Sequence, residues 1–191
     1  FAKRIFVSWR SSLGYFPSGK TVLTGNPLRR AVFEERTQRF RFNNDLPVVY
    51  VTGGKQGSHM INEAIRGALS QFLEKYNLIH QTGSSEVFQD YQKLAILKTQ
   101  LPKRLKDRYV LQEYFSLDEI GAVYAAAAVV VGRAGANTVT ELAALGKPAV
   151  LIPIPWVSRR EQFRNAQILA EKGAAVILEE EQLSSRALLR T

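Results

Sequence analysis

The chain has 191 residues, enough to bury a full core and to form one domain or slightly more; 46% are hydrophobic, and the net charge is +9. No apolar run approaches the roughly 20 residues of a membrane-crossing helix, and no stretch has the pattern of a signal peptide. The absence of cysteine excludes a disulfide framework, a thiolate nucleophile and a zinc–cysteine site, and His59 and His80 do not form a pair at ligand spacing, so a protein-bound metal centre is not expected.

In chain order, residues 3–8 (KRIFVS) and 20–24 (KTVLT) read as short strands joined by a Ser-, Gly- and Pro-rich loop. GNPLRR follows, with Gly25 and Pro27 breaking the strand before a short basic helix. Residues 1–41 carry nine Lys/Arg against Glu34 and Glu35, so most of the net charge lies there. Such a segment suits nucleic acid, an anionic membrane surface, or a face covered in a larger protein. The start at FAKRIFVS, without an initiator Met, suggests a piece of a longer chain.

Asn43 to Pro47 reads as a linker, and a regular pattern begins after it. Strand 48–52 leads through a Gly loop into a helix from about Ser58 to Tyr76, with Ile61, Ile65, Ala68, Leu69 and Phe72 on one stripe. Strand 78–81, a helix through about Leu97, strand 109–112 and a helix from Leu117 to Ala126 follow. Then come strand 128–131, helix 137–145, strand 149–152, helix 161–172 and strand 174–178. Strands alternating with helices of this length predict an α/β fold, a Rossmann-like doubly wound parallel sheet.

Three loops at strand ends carry candidate chemistry. In Gly53-Gly54-Lys55-Gln56-Gly57-Ser58, glycines let the backbone turn sharply and aim N–H groups at phosphate oxygens, with Lys55 and Ser58 adding a charge and a hydroxyl. The loop matches neither GxGxxG nor Walker A, and by itself is equally a structural turn. In Gly132-Arg133-Ala134-Gly135-Ala136, small residues precede a helix with Thr138, and Glu141 is expected in its first turn. There it either accepts from a ribose diol or merely complements the helix dipole. Glu161, Gln162 and Asn165 follow a Pro-rich strand end, and suit sugar hydroxyls or an ordinary first helical turn. Among other residues, His80 is expected to be packed in a strand, while His59 at a helix start is either exposed or ligand-facing. No DxD pair is present to hold a metal–nucleotide complex, and no Ser-His-Asp arrangement is readable.

Taken together, TGNPLR (24–29), GGKQGSHMINEAI (53–65), HQTG (80–83), EYFSLDEI (113–120), GRAGANTVTELAALGKPAVLIPIP (132–155) and EQFRNA (161–166) resemble the carboxyl-terminal half of the MurG-type glycosyltransferases. The resemblance covers nearly the whole chain. It implies the C-terminal domain of a GT-B fold, with residues 1–25 as a remnant of the N-terminal acceptor and membrane domain, and 26–191 as the UDP-GlcNAc-binding domain. The implied reaction is inverting and metal-independent. It passes GlcNAc from UDP-GlcNAc to an undecaprenyl-linked acceptor, converting lipid I to lipid II, with no cofactor. The general base is expected in the absent domain, and the isolated piece is expected to be inactive.

Carried over by position, Gly54, Lys55, Gln56 and Gly57 approach the pyrophosphate, and Arg29 and Arg133 lie near phosphate or uracil. Backbone groups from Phe115 to Leu117 hold the uracil edge. Gly135, Ala136 and Thr138 line the donor site, Glu141 takes the ribose hydroxyls, and Glu161, Gln162 and Asn165 read the GlcNAc. The family usually has Ser where Lys55 stands and Asp where Ala128 stands; the latter change is expected to affect stability rather than binding. The implied setting is the cytoplasmic face of a bacterial plasma membrane, peripherally bound to its anionic surface. The alternative is the donor-binding subunit of a two-chain GlcNAc transferase acting on a polyprenyl-linked acceptor. A nucleic-acid partner is not expected, since no recognised module is readable. A sugar-nucleotide epimerase shares the fold but leaves GRAGANTVTE with EQFRNA unexplained.

Overall fold

The computed structural model describes residues 2–191. Two parallel sheets are present. The smaller pairs β1 (Ile5–Val7) with β2 (Thr21–Leu23), connected through a 3-10 turn over Arg10–Tyr15. The larger contains β3 (Val48–Thr52), β4 (Asn77–Gln81), β5 (Tyr109–Gln112), β6 (Val129–Gly132), β7 (Ala149–Leu151) and β8 (Ala175–Ile177). Its spatial order is β5-β4-β3-β6-β7-β8, parallel throughout. This is the doubly wound arrangement expected from the alternating pattern, and the order reverses between β3 and β6.

Helices α1 (His59–Arg66), α2 (Leu69–Lys75), α3 (Asp90–Gln100), α4 (Lys103–Lys106), α5 (Ile120–Ala126), α6 (Ala136–Leu145), α7 (Glu161–Ala170) and α8 (Ser185–Arg190) complete the domain. Strands buried on both faces separate two apolar clusters. One gathers Tyr50, Ile79, Phe115, Val130 and Leu142 on the side of α5, α6 and α7. The other gathers Val51, Ile65, Leu73, Leu78 and Leu188 on the side of α1, α2 and α8.

The single helix expected over 58–76 is two. Ala68 leaves the helical region (φ −133°, ψ 21°), and a Cβ at Gly67 would lie 2.4 Å from Ser185 Oγ, so the break is where α8 packs. Helices α4 and α8 were not anticipated.

The loop after β3 fits that after β4 backbone against backbone. Gly57 and Gly83 both have φ of +86°, and a Cβ on Gly57 would fall 2.0 Å from Thr82 O, one on Gly83 2.1 Å from Gly57 N. Only glycine at both positions allows the two loops to close on each other.

Candidate functional site

The carboxyl ends of β3, β4 and β5, together with α5 and α6, enclose a cavity of about 270 Å³ beside the point where strand order reverses. Its lining includes Arg29, Thr52, Gly54, Lys55, Gln81 and Glu141. Gln81 and Glu141 organise it. Gln81 Nε2 donates to Gly54 O (3.0 Å) and Thr52 Oγ1 (3.2 Å), while its Oε1 accepts from Phe115 N–H (3.2 Å) and the Tyr50 hydroxyl (3.4 Å). One amide thus ties three strand-end segments together.

Glu141 is only 4% exposed. Its carboxylate accepts from Arg29 Nε (2.8 Å) and Nη2 (3.0 Å) and from the Tyr124 hydroxyl (3.0 Å). The two-pronged guanidinium–carboxylate pair is the strong, directional kind, and the Glu141 hydrogen bond raises the Arg29 pKa. Burial, with Tyr50 and Glu141 nearby, pushes the Tyr124 phenol well up, so it stays a donor. The Asn26 amide donates to Asn137 Oδ1 (2.6 Å). Segment 26–29 is therefore fastened along α6 by two contacts.

A second polar chain supports the glycine loops from behind. Asn62 Nδ2 donates to Thr82 O (3.0 Å) and Asp90 Oδ2 (2.8 Å), which orients the amide and leaves Asn62 Oδ1 facing His80 Nε2 at 3.0 Å. His80 Nε2 therefore carries the proton, and Nδ1 accepts from the Tyr109 hydroxyl (2.9 Å). His80 is packed, as the strand pattern suggests, and burial drops its pKa to about 3. His59 pairs with Asp90 Oδ1 (2.8 Å) and stacks on Phe88 with ring centres 3.9 Å apart. His59, Glu63 and Asp90 have ligating atoms within 4.8 Å of one another, a grouping absent from the sequence-based expectation because Asp90 arrives from α3. Every carboxylate oxygen in it already accepts a hydrogen bond, from His59, Asn62 or Arg66.

Several anticipated residues lie elsewhere than expected. Glu141 is the sixth residue of α6 and so lies in its second turn rather than its first, because the helix begins at Ala136 with Gly135 as its N-cap. Gly135 and Ala136 do not line the cavity; Asn137 and Thr138 do. Arg133 is turned away from it. Its Nη1 donates to Ile152 O (3.1 Å) and its Nη2 pairs with Glu180, both side chains being nearly buried. The expectation places Arg133 at phosphate or uracil; in this structure a buried carboxylate from the segment after β8 claims its guanidinium, and it does not line the cavity.

Phe115 lines the cavity, with its ring in the core and its N–H taken by Gln81, while Leu117 is exposed and outside the lining. Gln56 and Gly57 are outside the lining as well, whereas Gly54 and Lys55 are part of it. Gln162 Oε1 accepts from Ile154 N–H (3.1 Å), and Asn165 Nδ2 donates to Ala134 O (3.1 Å). These amides fasten α7 to the strand-end loops. Glu161 and Asn165 face a different cleft, of about 760 Å³, which α7 forms with residues 9–15.

Sequence reasoning did not single out Tyr50, Gln81 or Tyr124. The available signals were a glutamine ending a buried strand and lone phenols among apolar neighbours. The basic amino-terminal segment is also less free than its charge suggests. Arg30 and Arg36 pair with Glu34, Arg36 also with Asp118, and Arg39 with Glu119. Ala128 is exposed, and its N–H donates to Val48 O (2.8 Å).

The chain is similar to known proteins. The family model for the glycosyltransferase family 28 C-terminal domain matches residues 48–191. The UDP-N-acetylglucosamine–N-acetylmuramyl-(pentapeptide) pyrophosphoryl-undecaprenol N-acetylglucosamine transferase of Lachnoclostridium phytofermentans is 33% identical over 194 residues, 99% of this chain and 51% of that protein. Its Clostridium botulinum counterpart is 34% identical over 197 residues, 100% of this chain and 51% of that protein. The crystal structure of Acinetobacter baumannii MurG superposes with a TM-score of 0.69 at 27% identity, over 99% of this chain and 50% of that one. The chain spans about half the length of the curated relatives it matches.

Proposed function

The chain belongs to the glycosyltransferase family 28 C-terminal domain, and from that premise we propose that it is the donor-binding half of a UDP-GlcNAc-dependent N-acetylglucosaminyltransferase making the lipid-linked peptidoglycan unit. The observation that carries this reading is the buried Glu141 carboxylate on the wall of a cavity at the switch point, beside the Gly54–Lys55 turn. A carboxylate there accepts from both hydroxyls of a ribose, and the turn beside it brings backbone N–H groups and Lys55 to the pyrophosphate.

In this reading Arg29 holds the place of the ribose diol until the donor arrives. The diol takes over the Glu141 oxygens, and the released guanidinium turns to the pyrophosphate. An acceptor hydroxyl attacks the anomeric carbon from the face opposite UDP, inverting it. Arg29, Lys55 and the loop N–H groups stabilise the charge on the departing UDP. Among the described residues Glu141 is the one carboxylate lining the cavity, which favours leaving-group stabilisation by cations over a metal clamped between acids. The general base belongs to the other half.

Residues 1–25 are assigned to the end of the preceding domain. Their two strands form a separate parallel sheet, and two strands alone do not make a stable unit. An undecaprenyl-linked acceptor places the reaction at the cytoplasmic face of the membrane, against its anionic surface. Among the described residues no helix is long and apolar enough to cross a membrane.

Isothermal titration with UDP-GlcNAc, UDP, GDP and UDP-glucose tests the proposal. Uridine nucleotides are expected to bind and GDP not, with UDP-GlcNAc ahead of UDP-glucose. Glu141→Ala is expected to weaken UDP about tenfold, the equivalent of one charged hydrogen bond. Equal binding of GDP and UDP, or unchanged affinity in Glu141→Ala, sinks the assignment.

A further inference from the structure

The cleft between residues 9–15 and α7 is the largest cavity described, about 760 Å³, towards the upper end of the roughly 300–1,000 Å³ of small-molecule sites. Its lining combines three features. Trp9, anchored against the core cluster, and the exposed Tyr15 supply aromatic faces. Arg159 and Arg164 supply guanidinium groups, and Glu161 and Glu171 carboxylates. None of these four charged side chains has an ion-pair or hydrogen-bond partner among the described residues, although most arginines elsewhere in the chain are paired.

The backbone before α7 is strained in a way that serves this cleft. Arg159 and Arg160 are successive non-glycine residues with φ of +54° and +53°, a conformation that persists only where the surroundings impose it. Arg160 is held, its guanidinium 4.2 Å from the Phe163 ring centre and 3.3 Å from Glu179 Oε2. That anchor leaves Arg159 on the cleft side.

Aromatic faces suit the C–H face of a pyranose, whereas unpaired charges of both signs suit a ligand that itself carries carboxylate and amide groups. We propose that Trp9, Tyr15, Arg159 and Arg164 are specificity-determining residues for a glycopeptide acceptor. Trp9 and Tyr15 carry its sugar ring, and the two arginines take its peptide carboxylate. This inference rests on the transferase reading above, and extends it by giving this half of the enzyme part of the acceptor site.

The test uses the full 191-residue chain with Trp156→Phe, which leaves Trp9 as its only tryptophan. Its fluorescence is titrated with N-acetylmuramoyl-L-alanyl-D-isoglutamine, and with N-acetylglucosamine as the probe lacking a carboxylate. The expected result is a saturable change with the glycopeptide. It should be at least fivefold weaker with N-acetylglucosamine and in Arg159→Ala and Arg164→Ala, with circular dichroism and UDP affinity unchanged in those variants. No saturation by the glycopeptide in a chain that still binds UDP overturns this inference and leaves the transferase reading standing. Equal response to both probes, or unaltered affinity in both arginine variants, overturns it too. Saturation by the glycopeptide in a chain that does not bind UDP supports the cleft assignment while removing the donor-site reading.

Discussion

Glu141 shows how one buried charge is made tolerable and kept available. Its carboxylate has three hydrogen bonds, two from Arg29 and one from Tyr124. Arg29 is about half exposed and so can leave without losing solvation, whereas Tyr124 is buried. Tyr124→Phe removes the fixed donor, and is expected to destabilise the chain by about 1.5–3 kcal/mol, the range for hydrogen bonds to charged groups, read from urea unfolding. A glutamate in the second turn of an otherwise apolar helix was legible as a candidate. Its partners were not, because Arg29 lies 112 residues away in sequence.

His80 gives a residue-scale pH dependence. Its folded-state pKa of about 3 lies below the ordinary histidine value of 6.5, so protonation favours the unfolded chain. The contribution is fully present above about pH 6.5 and is lost as pH falls towards 3, at about 1.4 kcal/mol per pH unit. Unfolding in urea at pH 7 and pH 5 should therefore differ by about 2 kcal/mol, and His80→Gln should flatten that slope. An unchanged slope in the variant would assign the pH dependence to other groups.

At the scale of elements, the start of α7 is set by side chains rather than by propensity. Asn165 secures Ala134 O and Gln162 secures Ile154 N–H, so the helix is tied to the ends of both β6 and β7. Asn165→Ala is expected to cost about 1–3 kcal/mol by leaving a buried carbonyl unpaired, and to loosen the wide cleft more than the Glu141 cavity. Denaturation and the two titrations above separate those effects. Similarly, a Cβ on Gly121 would fall 2.0 Å from Glu34 O. Gly121→Ala should thus push segment 30–34 off α5 and expose protease sites there, which limited proteolysis reads directly. Neither contact has a local sequence signal. The periodic apolar stripe ran on through Gly67 and Ala68, and only the packing of α8 explains why the helix stops there.

For the molecule as a whole, the two sheets divide the labour. The six-stranded sheet contains the Glu141 cavity, and residues 9–15 contribute to the wide cleft without joining that sheet. A chain beginning at Gly25 should keep UDP affinity within about threefold, since no described residue before Arg29 lines the Glu141 cavity, but lose glycopeptide binding read by isothermal titration. Loss of both would show that the first sheet supports the second.

By itself the sequence determined the parallel α/β class and most strand positions, because alternating apolar runs and glycine turns are local signals that burial on both faces enforces. It also located the three loops where a ligand is expected. Tertiary structure alone decided which side chains from those loops meet. It put Glu141 with Arg29, drew Arg133 away to Glu180, and turned Glu161 into a second cleft. Such pairings depend on strand order and on which buried charge reaches which counter-charge first, and neither is written in the spacing of residues along the chain.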